Sequence, residues 1–444
     1  MPKPSPLSVL PLSMLLRTLA STTISSSPLL LRPSLAVMSA LAYSDRAILN
    51  TDKNPVLSWF LKKTFYPQFC AGENAAEVRR TVNGLKQIGF TGVILGYGRE
   101  IVLRGADEQN LADCTEGPMA EECIRDEVLP WAAGTMETLR LAQPGDFVAL
   151  KLSGAGRQAL YALHNRLPPP KRLKEALDEI CSFAAEKDIP LIFDAEQTAI
   201  QAGIDDWVLH YQRKHNTKPG HAVIYGTYQA YLKAAPTVLG SHLAAASKDG
   251  FTVGIKLVRG AYLDSDPRHI IHDTKEGTDA CYDGIASSLM RRKWNSTLRQ
   301  EMPYPPVSIL LATHNLASVR KAREIRDSPE SAKTELAIAQ LLGMADEVSC
   351  ELLVAKAESR AKKAQTEQEK PALASQPTQA PAAAGSSELP GAYKYIIWGT
   401  TRECMKYMLR RAHENRDALS RTHSSRDAAW GEIKRRIKAY VGLA

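Results

Sequence analysis

The feature that most constrains the fold is a series of short β-type runs separated by longer amphipathic stretches. Eight such runs occur between residues 92 and 399. Strands that alternate with helices predict βαβ units and a parallel sheet, and eight units favour a (β/α)8 TIM-type barrel. An open doubly wound sheet is the alternative, weakened because no GxGxxG sequence follows the first run. The eight runs are GVILGY (92–97), FVALKL (147–152), PLIFDA (190–195), AVIYGT (222–227), TVGIKLV (252–258), SILLAT (308–313), LAIAQLL (336–342) and KYIIWG (394–399).

Segments outside the repeated units divide the chain further. Residues 45–89 contain an additional amphipathic stretch and predict an N-terminal helical arm before the first seven units at 90–355. Residues 356–391 are rich in Ala, Pro, Gln and Ser, which predicts a disordered insertion. In a barrel, this loop lies opposite the active site and should leave catalysis undisturbed. The eighth strand and its helix follow at 392–418, and a basic helix is expected at 419–444.

The first 44 residues have the composition of a mitochondrial targeting leader. They contain Lys3, Arg17 and Arg32, no acidic residue, and many serines between leucine runs. An amphipathic, Arg- and Ser-rich, acid-free segment is typical of such leaders, and a merely disordered N-terminus is the alternative. No run of eighteen uncharged apolar residues occurs, so we expect no transmembrane helix.

Charge and cysteine content exclude several classes of protein. The net charge is +8, but the positive excess lies in the first 44 residues and in residues 402–444, so the body is nearly neutral. A nucleic-acid-binding protein should instead carry a broad basic face, so we expect no nucleic-acid partner. The seven cysteines are scattered and form no CxxC pair, as expected for reduced thiols in an intracellular enzyme.

Polar and charged residues follow seven of the predicted strands. In a barrel, the carboxyl ends of the strands form the active site, whereas an empty barrel mouth needs no buried charge. Any one of these residues alone has a structural explanation more often than a functional one. Together they predict a site, made of Lys151, Asp194, Glu196, Tyr228, Gln229, Lys256, Arg259, Tyr262, Asp264, Thr313, His314, Asn315, Gln340, Arg410, Arg411 and Glu414.

The same residues lack the signatures of hydrolytic chemistry. The chain has no GxSxG sequence, and no HxH or HExxH sequence that would indicate a metal site. Cationic ends and amide or hydroxyl hydrogen-bonding groups are suited to an anionic small molecule beside a cofactor that supplies the chemistry. We therefore expect no metal.

Five ordered motifs make the interpretation specific. They are YGTYQAYLKAAP (225–236), KLVRGAYLDSD (256–266), LATHN (311–315), QLLGM (340–344) and YMLRRAHEN (407–415). In this order they resemble the signature segments of the proline dehydrogenase family. The resemblance covers most of residues 55–418 and implies a distorted (β/α)8 barrel that binds FAD without a Rossmann motif. The implied reaction is oxidation of L-proline to Δ1-pyrroline-5-carboxylate by hydride transfer to flavin N5, the first step of proline catabolism.

The resemblance also implies roles for individual residues. Arg410 and Arg411 clamp the proline carboxylate, which Lys151 supports, and Tyr262 packs on the proline ring. Asp194 is hydrogen-bonded near the arginines and Tyr262, and Glu414 pairs with an arginine. The residues implied to line the FAD are Gln229, Lys256, Thr313, His314 and Asn315.

The leader and the insertion resemble those of a fungal-type mitochondrial member of the family. That membership implies electron transfer to a membrane quinone and peripheral contact with the matrix side of the inner membrane. The basic tail at 430–444 has an amphipathic pattern that suits an anionic membrane surface. A helix docked on the barrel is the alternative for this tail.

The sequence departs from many bacterial members at a few positions. Lys256 stands where they have arginine, Leu263 where they often have tryptophan, and the eighth strand has YIIWG at 395–399. The first change keeps the charge but alters the geometry of the flavin contact. Two alternatives stay open at this point, a hydroxyproline dehydrogenase and a catalytically silent barrel that binds a metabolite.

Overall fold

A computed structural model of the chain describes residues 5–44, 46–99, 108–368, 390–414 and 419–442. The strands are β1 (Cys70–Gly72), β2 (Gly92–Tyr97), β3 (Phe147–Leu150), β4 (Leu191–Phe193), β5 (Ile224–Gln229), β6 (Val253–Val258), β7 (Val307–Ala312), β8 (Leu336–Leu341) and β9 (Gly391–Trp398). Strands β2 to β9 are all parallel and follow one another in chain order. The sheet closes because β9 pairs with both β8 and β2. The fold is therefore the predicted eight-stranded barrel, and the open sheet is excluded.

Helices connect the successive strands and cover the outside of the barrel. Their amphipathic patterns explain the packing; one helix, for example, buries Leu173, Leu177, Ile180 and Ala184 on a single face. The helices are α1 (Leu12–Ser26), α2 (Pro28–Tyr43), α3 (Pro55–Lys63), α4 (Tyr66–Phe69), α5 (Ala75–Ile88), α6 (Gly117–Cys123), α7 (Leu129–Leu141), α8 (Arg157–His164), α9 (Lys171–Glu186), α10 (Thr198–His215), α11 (Ala235–Asp249), α12 (Lys275–Arg291), α13 (Leu316–Asp327), α14 (Asp346–Gln368), α15 (Thr401–Glu414) and α16 (Leu419–Tyr440).

Large side chains fill the inside of the barrel. The ring of Phe147 packs edge-on against Tyr225 and Tyr393, with centroid distances of 5.6 and 5.1 Å. Ile192 and Leu310 are fully buried in the same cluster. The interior is thus a packed core, and a small molecule is accommodated only at the strand ends.

The sequence analysis missed one strand. Strand β1 pairs in parallel with the last residues of β9 through Cys70 and Gly72. It has three residues, all buried, and lies inside the predicted helical arm. A strand this short has no periodic pattern, so the local sequence gives no signal for it.

The N-terminal segment, predicted to be a targeting leader, packs on the rest of the molecule over residues 5–44. Leu7, Leu10 and Leu15 are buried, and α1 lies along α16. The hydroxyl of Thr18 donates to the carboxylate of Asp346 over 3.2 Å. Residues 5–44 therefore form part of the folded unit, while their role in targeting stays a prediction.

The first part of the predicted insertion is helical. Helix α14 continues to Gln368, so residues 356–368 are helical, whereas residues 369–389 lie outside the described part of the chain. Ala, Lys, Glu and Gln dominate the extension, and their helix propensity favours a helix there. The predicted C-terminal helix is present as α16. No helix among the described residues is long and apolar enough to cross a membrane.

Candidate active site

Three buried side chains from three strands form a network at the carboxyl end of the barrel. Asp194 directly follows β4, Lys256 lies in β6 and Tyr395 lies in β9. The ammonium of Lys256 is 2.5 Å from one carboxylate oxygen of Asp194. The hydroxyl of Tyr395 donates to the other oxygen over 2.6 Å. Both oxygens of a carboxylate that is 7% exposed are therefore satisfied.

The network fixes a negative charge in the barrel mouth. Burial alone opposes ionisation of Asp194, but the cations of Lys256 and Lys151 and two hydrogen bonds outweigh it and hold the pKa of that carboxyl below its usual range. Burial and the nearby carboxylate raise the pKa of Tyr395, so its hydroxyl stays protonated and remains a donor. Asp194 is therefore an anion at neutral pH.

Helix α15 brings the two predicted arginines to this end of the barrel. The guanidinium of Arg410 lies 5.5 Å from the ring centroid of Tyr262 and donates to its hydroxyl over 3.4 Å. The guanidinium of Arg411 lies 5.6 Å from the centroid of Tyr407, and the ammonium of Lys151 lies 5.7 Å from the same ring. The ring of Tyr407 thus lies near two cations: Lys151, which follows β3, and Arg411 of α15.

Adjacent residues of a helix diverge by about 100°, so the two arginines cannot share one face. Arg410 contacts Tyr262 after β6, while Arg411 contacts Tyr407 beside Lys151. The two guanidiniums therefore have different ring partners, one in the loop after β6 and one in α15 itself beside Lys151. Glu414 ends α15, but its side chain lies outside the described part of the chain, and its pairing with an arginine stays a prediction.

The residues predicted to line a flavin gather at the ends of β5, β6 and β7. The side chain of Gln229 accepts from the N–H of Ala261 over 3.1 Å and donates to the carbonyl of Glu196 over 3.3 Å. The hydroxyl of Thr313 accepts from Arg259 over 2.5 Å. Gln229 therefore bridges the loops that follow β4 and β6.

The other two residues of this group have structural contacts of their own. His314 accepts from the N–H of Leu341 through a ring nitrogen, over 3.2 Å. The side-chain oxygen of Asn315 accepts from Ala317 and Ser318 and so caps the start of α13. Its carbonyl is therefore occupied in holding the helix.

Two residues of the site were not assigned a role from the sequence. Tyr395 lies within the eighth predicted strand, and the sequence analysis gives it no role. Glu196 was noted only as a polar residue after a strand; its carboxylate accepts from the N–H of Ser153 over 2.9 Å, and burial raises its pKa. Lys256 was assigned to the flavin, and the structure places its ammonium on Asp194. The charge of Lys256 thus has a partner that spacing alone did not reveal.

Comparison with known families identifies the family to which the chain belongs. The family model described as proline dehydrogenase matches residues 78–424. The chain belongs to the proline dehydrogenase family. It is therefore an oxidoreductase of proline catabolism, as the five motifs predict.

Curated relatives carry the same name in several kingdoms. The chain is 29% identical to "Probable proline dehydrogenase, mitochondrial" of Schizosaccharomyces pombe, over 85% of this chain and 80% of the relative. It is 28% identical to "Proline dehydrogenase 2, mitochondrial" of Arabidopsis thaliana, over 86% and 79%. It is 30% identical to the human "Proline dehydrogenase 1, mitochondrial", over 60% of this chain and 39% of the relative.

Solved structures agree on the fold. Proline utilization A (PutA) from Bdellovibrio bacteriovorus aligns with a TM-score of 0.58 and 15% identity, over 91% of this chain and 38% of that one. PutA from Bradyrhizobium japonicum aligns with a TM-score of 0.52 and 18% identity, over 84% and 33%. The chain thus spans well under half of these larger proteins, and at this identity the likeness concerns the barrel alone.

Proposed function

We propose that this chain oxidises L-proline to Δ1-pyrroline-5-carboxylate with FAD as the bound oxidant. The observation that carries the proposal is the convergence of Lys151, Arg410 and Arg411 beside the buried Asp194 network in a member of this family. A site with three cations around one mouth suits a small anion. The proline carboxylate is that anion.

The two arginines would hold the substrate by its carboxylate. A guanidinium presents a planar fork of donors, and two forks from different directions fix both oxygens of a carboxylate. The same contacts fix the position of the ring, because the carboxylate and the reacting C5–N bond belong to one rigid five-membered ring. Tyr262, already stacked with Arg410, would then pack on the ring itself.

The residues around β5 to β7 fit a flavin by the chemistry of their donors. One ammonium, one amide, one hydroxyl and one imidazole lie at neighbouring strand ends, and a flavin ring presents carbonyl oxygens and ring nitrogens as hydrogen-bonding partners. Lys256, Gln229, Thr313 and His314 would hold it, while Asn315 supports it indirectly through α13. When bound, FAD supplies the two-electron acceptor that takes a hydride from C5 of proline.

Proton balance follows from the charges of the site. Proline is a zwitterion at neutral pH, and a C=N bond forms at nitrogen only when the amine has lost its proton. Three cations near the carboxylate favour that loss, since they disfavour a further positive charge in the mouth. The anion of Asp194 is already neutralised by Lys256. We assign no side chain as the base, and the proton leaves to solvent.

We further propose that the electrons pass to a membrane quinone on the matrix side of the mitochondrial inner membrane. The relatives in fission yeast, plant and human are named mitochondrial. The acid-free, Ser-rich composition of residues 1–44 supports the same compartment. Import and fractionation of the tagged full chain would test it, and exclusively cytosolic protein would contradict it.

The experiment for the reaction uses the purified full chain and variants at the two arginines. We expect bound flavin, seen by its visible absorbance, and dye reduction that depends on L-proline. Arg410→Met or Arg411→Met should lower kcat/KM by roughly 30-fold or more, since breaking a buried charged contact costs about 2–5 kcal/mol. Flavin content should stay unchanged.

Arg172→Met on α9 is the matched control, because this exposed arginine pairs across the helix surface with Glu175. Its kinetics should equal those of the parent chain. Unchanged kinetics in both α15 variants would contradict the clamp. Faster turnover of hydroxyproline than of proline would identify a hydroxyproline dehydrogenase, and a chain without flavin would be a silent barrel.

A further inference from the structure

The motif KLVRGAYLDSD (256–266) ends on a buried carboxylate to which the proposed reaction gives no role. Asp266 is 7% exposed. One of its carboxylate oxygens accepts from the hydroxyl of Tyr231, which follows β5, over 2.5 Å. The other oxygen accepts from the backbone N–H of Thr198 at the start of α10, over 3.0 Å. A buried carboxylate is costly unless its oxygens are bonded, so these two contacts fix residue 266 against two other units of the barrel.

Tyr231 also holds the beginning of the segment that Asp266 ends. Its backbone N–H donates to the carbonyl of Arg259 over 2.7 Å, and its ring lies directly against Gly260. A Cβ at Gly260 would lie 2.4 Å from atoms of that ring, and the φ of Gly260 is +151°, so glycine is needed for this approach. We call residues 259–266 the β6 loop. Tyr231 therefore contacts the β6 loop at both of its ends.

Tyr262 lies in the middle of the β6 loop, between these anchors. The N–H groups of Ser265 and Asp266 both donate to the carbonyl of Tyr262, over 3.1 and 2.8 Å, so one tight turn joins Tyr262 to the anchored carboxylate. On the other side of Tyr262, the N–H of Ala261 donates to the side chain of Gln229 over 3.1 Å. The backbone of Tyr262 is thus held from both directions.

The side chain of Tyr262 links the β6 loop to the helix that carries the proposed carboxylate clamp. Its hydroxyl accepts from Arg410 over 3.4 Å, and its ring centroid lies 5.5 Å from the same guanidinium. Both contacts weaken quickly when the partners move apart. A shift of the β6 loop would therefore displace the ring of Tyr262 and loosen its contact with Arg410 at the same time.

We propose that Asp266 is a positioning residue for Tyr262. Its bonds to Tyr231 and Thr198 hold the β6 loop in the position from which the ring of Tyr262 packs on the five-membered ring of L-proline. The proposal deepens the proposed function and rests on it, since the substrate contact of Tyr262 belongs to that function. Asp266 acts through Tyr262 and does not itself touch the substrate.

The test measures kcat and KM for dye reduction with L-proline in Asp266→Asn and Tyr231→Phe. Asparagine keeps the shape of the carboxylate without its charge, and phenylalanine keeps the ring against Gly260 without the hydroxyl. Each variant should raise KM roughly tenfold, the worth of one hydrogen bond to a charged group. Each should change kcat less than about threefold, since packing on the ring stabilises bound substrate and transition state alike. The double variant should resemble the weaker single variant, because both substitutions remove one bond.

The background variant Tyr262→Ala separates positioning from a general structural role. Asp266→Asn should not raise KM further in a chain that already carries Tyr262→Ala. The matched control is Asp146→Asn, at the opposite end of the barrel before β3. Asp146 is 1% exposed, and its carboxylate accepts from the N–H groups of Val93 and Gln143, over 3.0 and 2.9 Å. This control should keep the parental KM even where its melting temperature falls.

Three outcomes would overturn the proposal while the proposed reaction stands. They are a parental KM in Tyr231→Phe and Asp266→Asn, a further rise of KM when Asp266→Asn is added to Tyr262→Ala, and an equal rise of KM in Asp146→Asn. If Asp266→Asn does not fold, Tyr231→Phe alone and in the Tyr262→Ala background supplies the same comparison. A parent chain that reduces no dye with L-proline would instead contradict the proposed reaction, and the positioning role with it.

Discussion

Two buried lysine–aspartate pairs in this barrel have the same chemistry and different surroundings. Lys256 and Asp194 meet at the mouth over 2.5 Å, with both side chains 8% exposed. Lys394 and Asp346 meet over 2.8 Å between β9 and the start of α14, with side chains 0% and 3% exposed. Burying a charge pair in either place requires good geometry and further hydrogen bonds.

The remaining hydrogen bonds distinguish the two pairs. The ammonium of Lys394 also donates to the carbonyls of Met344 and Leu341, and Asp346 accepts from Thr18. Every proton of that ammonium is used within the protein. Within the described part of the chain, the ammonium of Lys256 donates to Asp194 alone. A saturated pair holds elements together, whereas an unsaturated pair at a barrel mouth has capacity left for a ligand.

The largest expected effect is a loss of folding stability when the Lys394–Asp346 pair is broken. Lys394→Met should lower the free energy of unfolding by about 3–5 kcal/mol, because it leaves Asp346 buried and unpaired. Urea unfolding monitored by circular dichroism measures it. Lys174→Met, in an exposed pair with Asp178, should change stability by about 1 kcal/mol or less. Equal stability of the two variants would break the comparison.

The buried, hydrogen-bonded pair of His242 and Tyr228 carries no ionic bond and provides a second test, because its contribution to stability depends on pH. The ring of His242 bonds the hydroxyl of Tyr228 over 2.7 Å, and burial lowers the pKa of His242 to about 4. A histidine with a lowered pKa stabilises the fold fully above its unfolded pKa of about 6.5, and this stability is lost as pH falls through the folded value. The loss at pH 5 should reach about 2 kcal/mol.

His242→Gln should remove that pH dependence, measured by urea unfolding at pH 7 and pH 5. The Lys256–Asp194 pair should contribute no loss over the same range, because the pKa of Asp194 lies below its usual range. An acid loss that persists in His242→Gln would assign the dependence to another group. It would also weaken the claim that the neutral His242–Tyr228 pair and the ionic Lys256–Asp194 pair respond differently to acid.

The smallest effect concerns the N-terminal segment. Thr18→Val removes the hydroxyl that donates to Asp346 and accepts from Gln68, and should destabilise the fold by about 1 kcal/mol. Thr23→Val is the control, since the exposed hydroxyl of Thr23 donates to the carbonyl of Leu19 in its own helix. Equal melting temperatures would show that α1 does not support the Lys394–Asp346 pair.

The sequence predicted the barrel because its strands and helices have periodic signals, whereas the roles of the site residues stay predictions that rest on the motifs. The alternation of strands and helices located all eight barrel strands, and the motifs located Asp194, Lys256, Arg410 and Arg411 at the mouth. The pairing of Lys256 with Asp194 could not be predicted, since it depends on which strand ends face one another across the barrel. Tyr395 was missed because an aromatic residue inside a strand is usually a packing residue.

The N-terminal segment illustrates a different limit. Its composition predicts a leader, yet Leu7, Leu10 and Leu15 are buried against the folded protein. An amphipathic, acid-free helix has the same pattern whether its apolar face meets an import receptor, a membrane or a neighbouring helix. Its partners here are α14 and α16, which lie more than 300 positions away in the sequence. No local signal encodes that contact.

The most direct test of the central claim compares Asp194→Asn with Asp346→Asn, two substitutions that change charge but hardly change shape. Steady-state dye reduction with L-proline and urea unfolding are measured on both. Asp194→Asn should lower kcat/KM by roughly 30-fold or more. Asp346→Asn should lower the free energy of unfolding by about 3–5 kcal/mol while its folded fraction keeps full turnover. Asp194→Asn should destabilise the fold less than Asp346→Asn does. Full turnover in Asp194→Asn, or lost turnover in folded Asp346→Asn, would contradict the account.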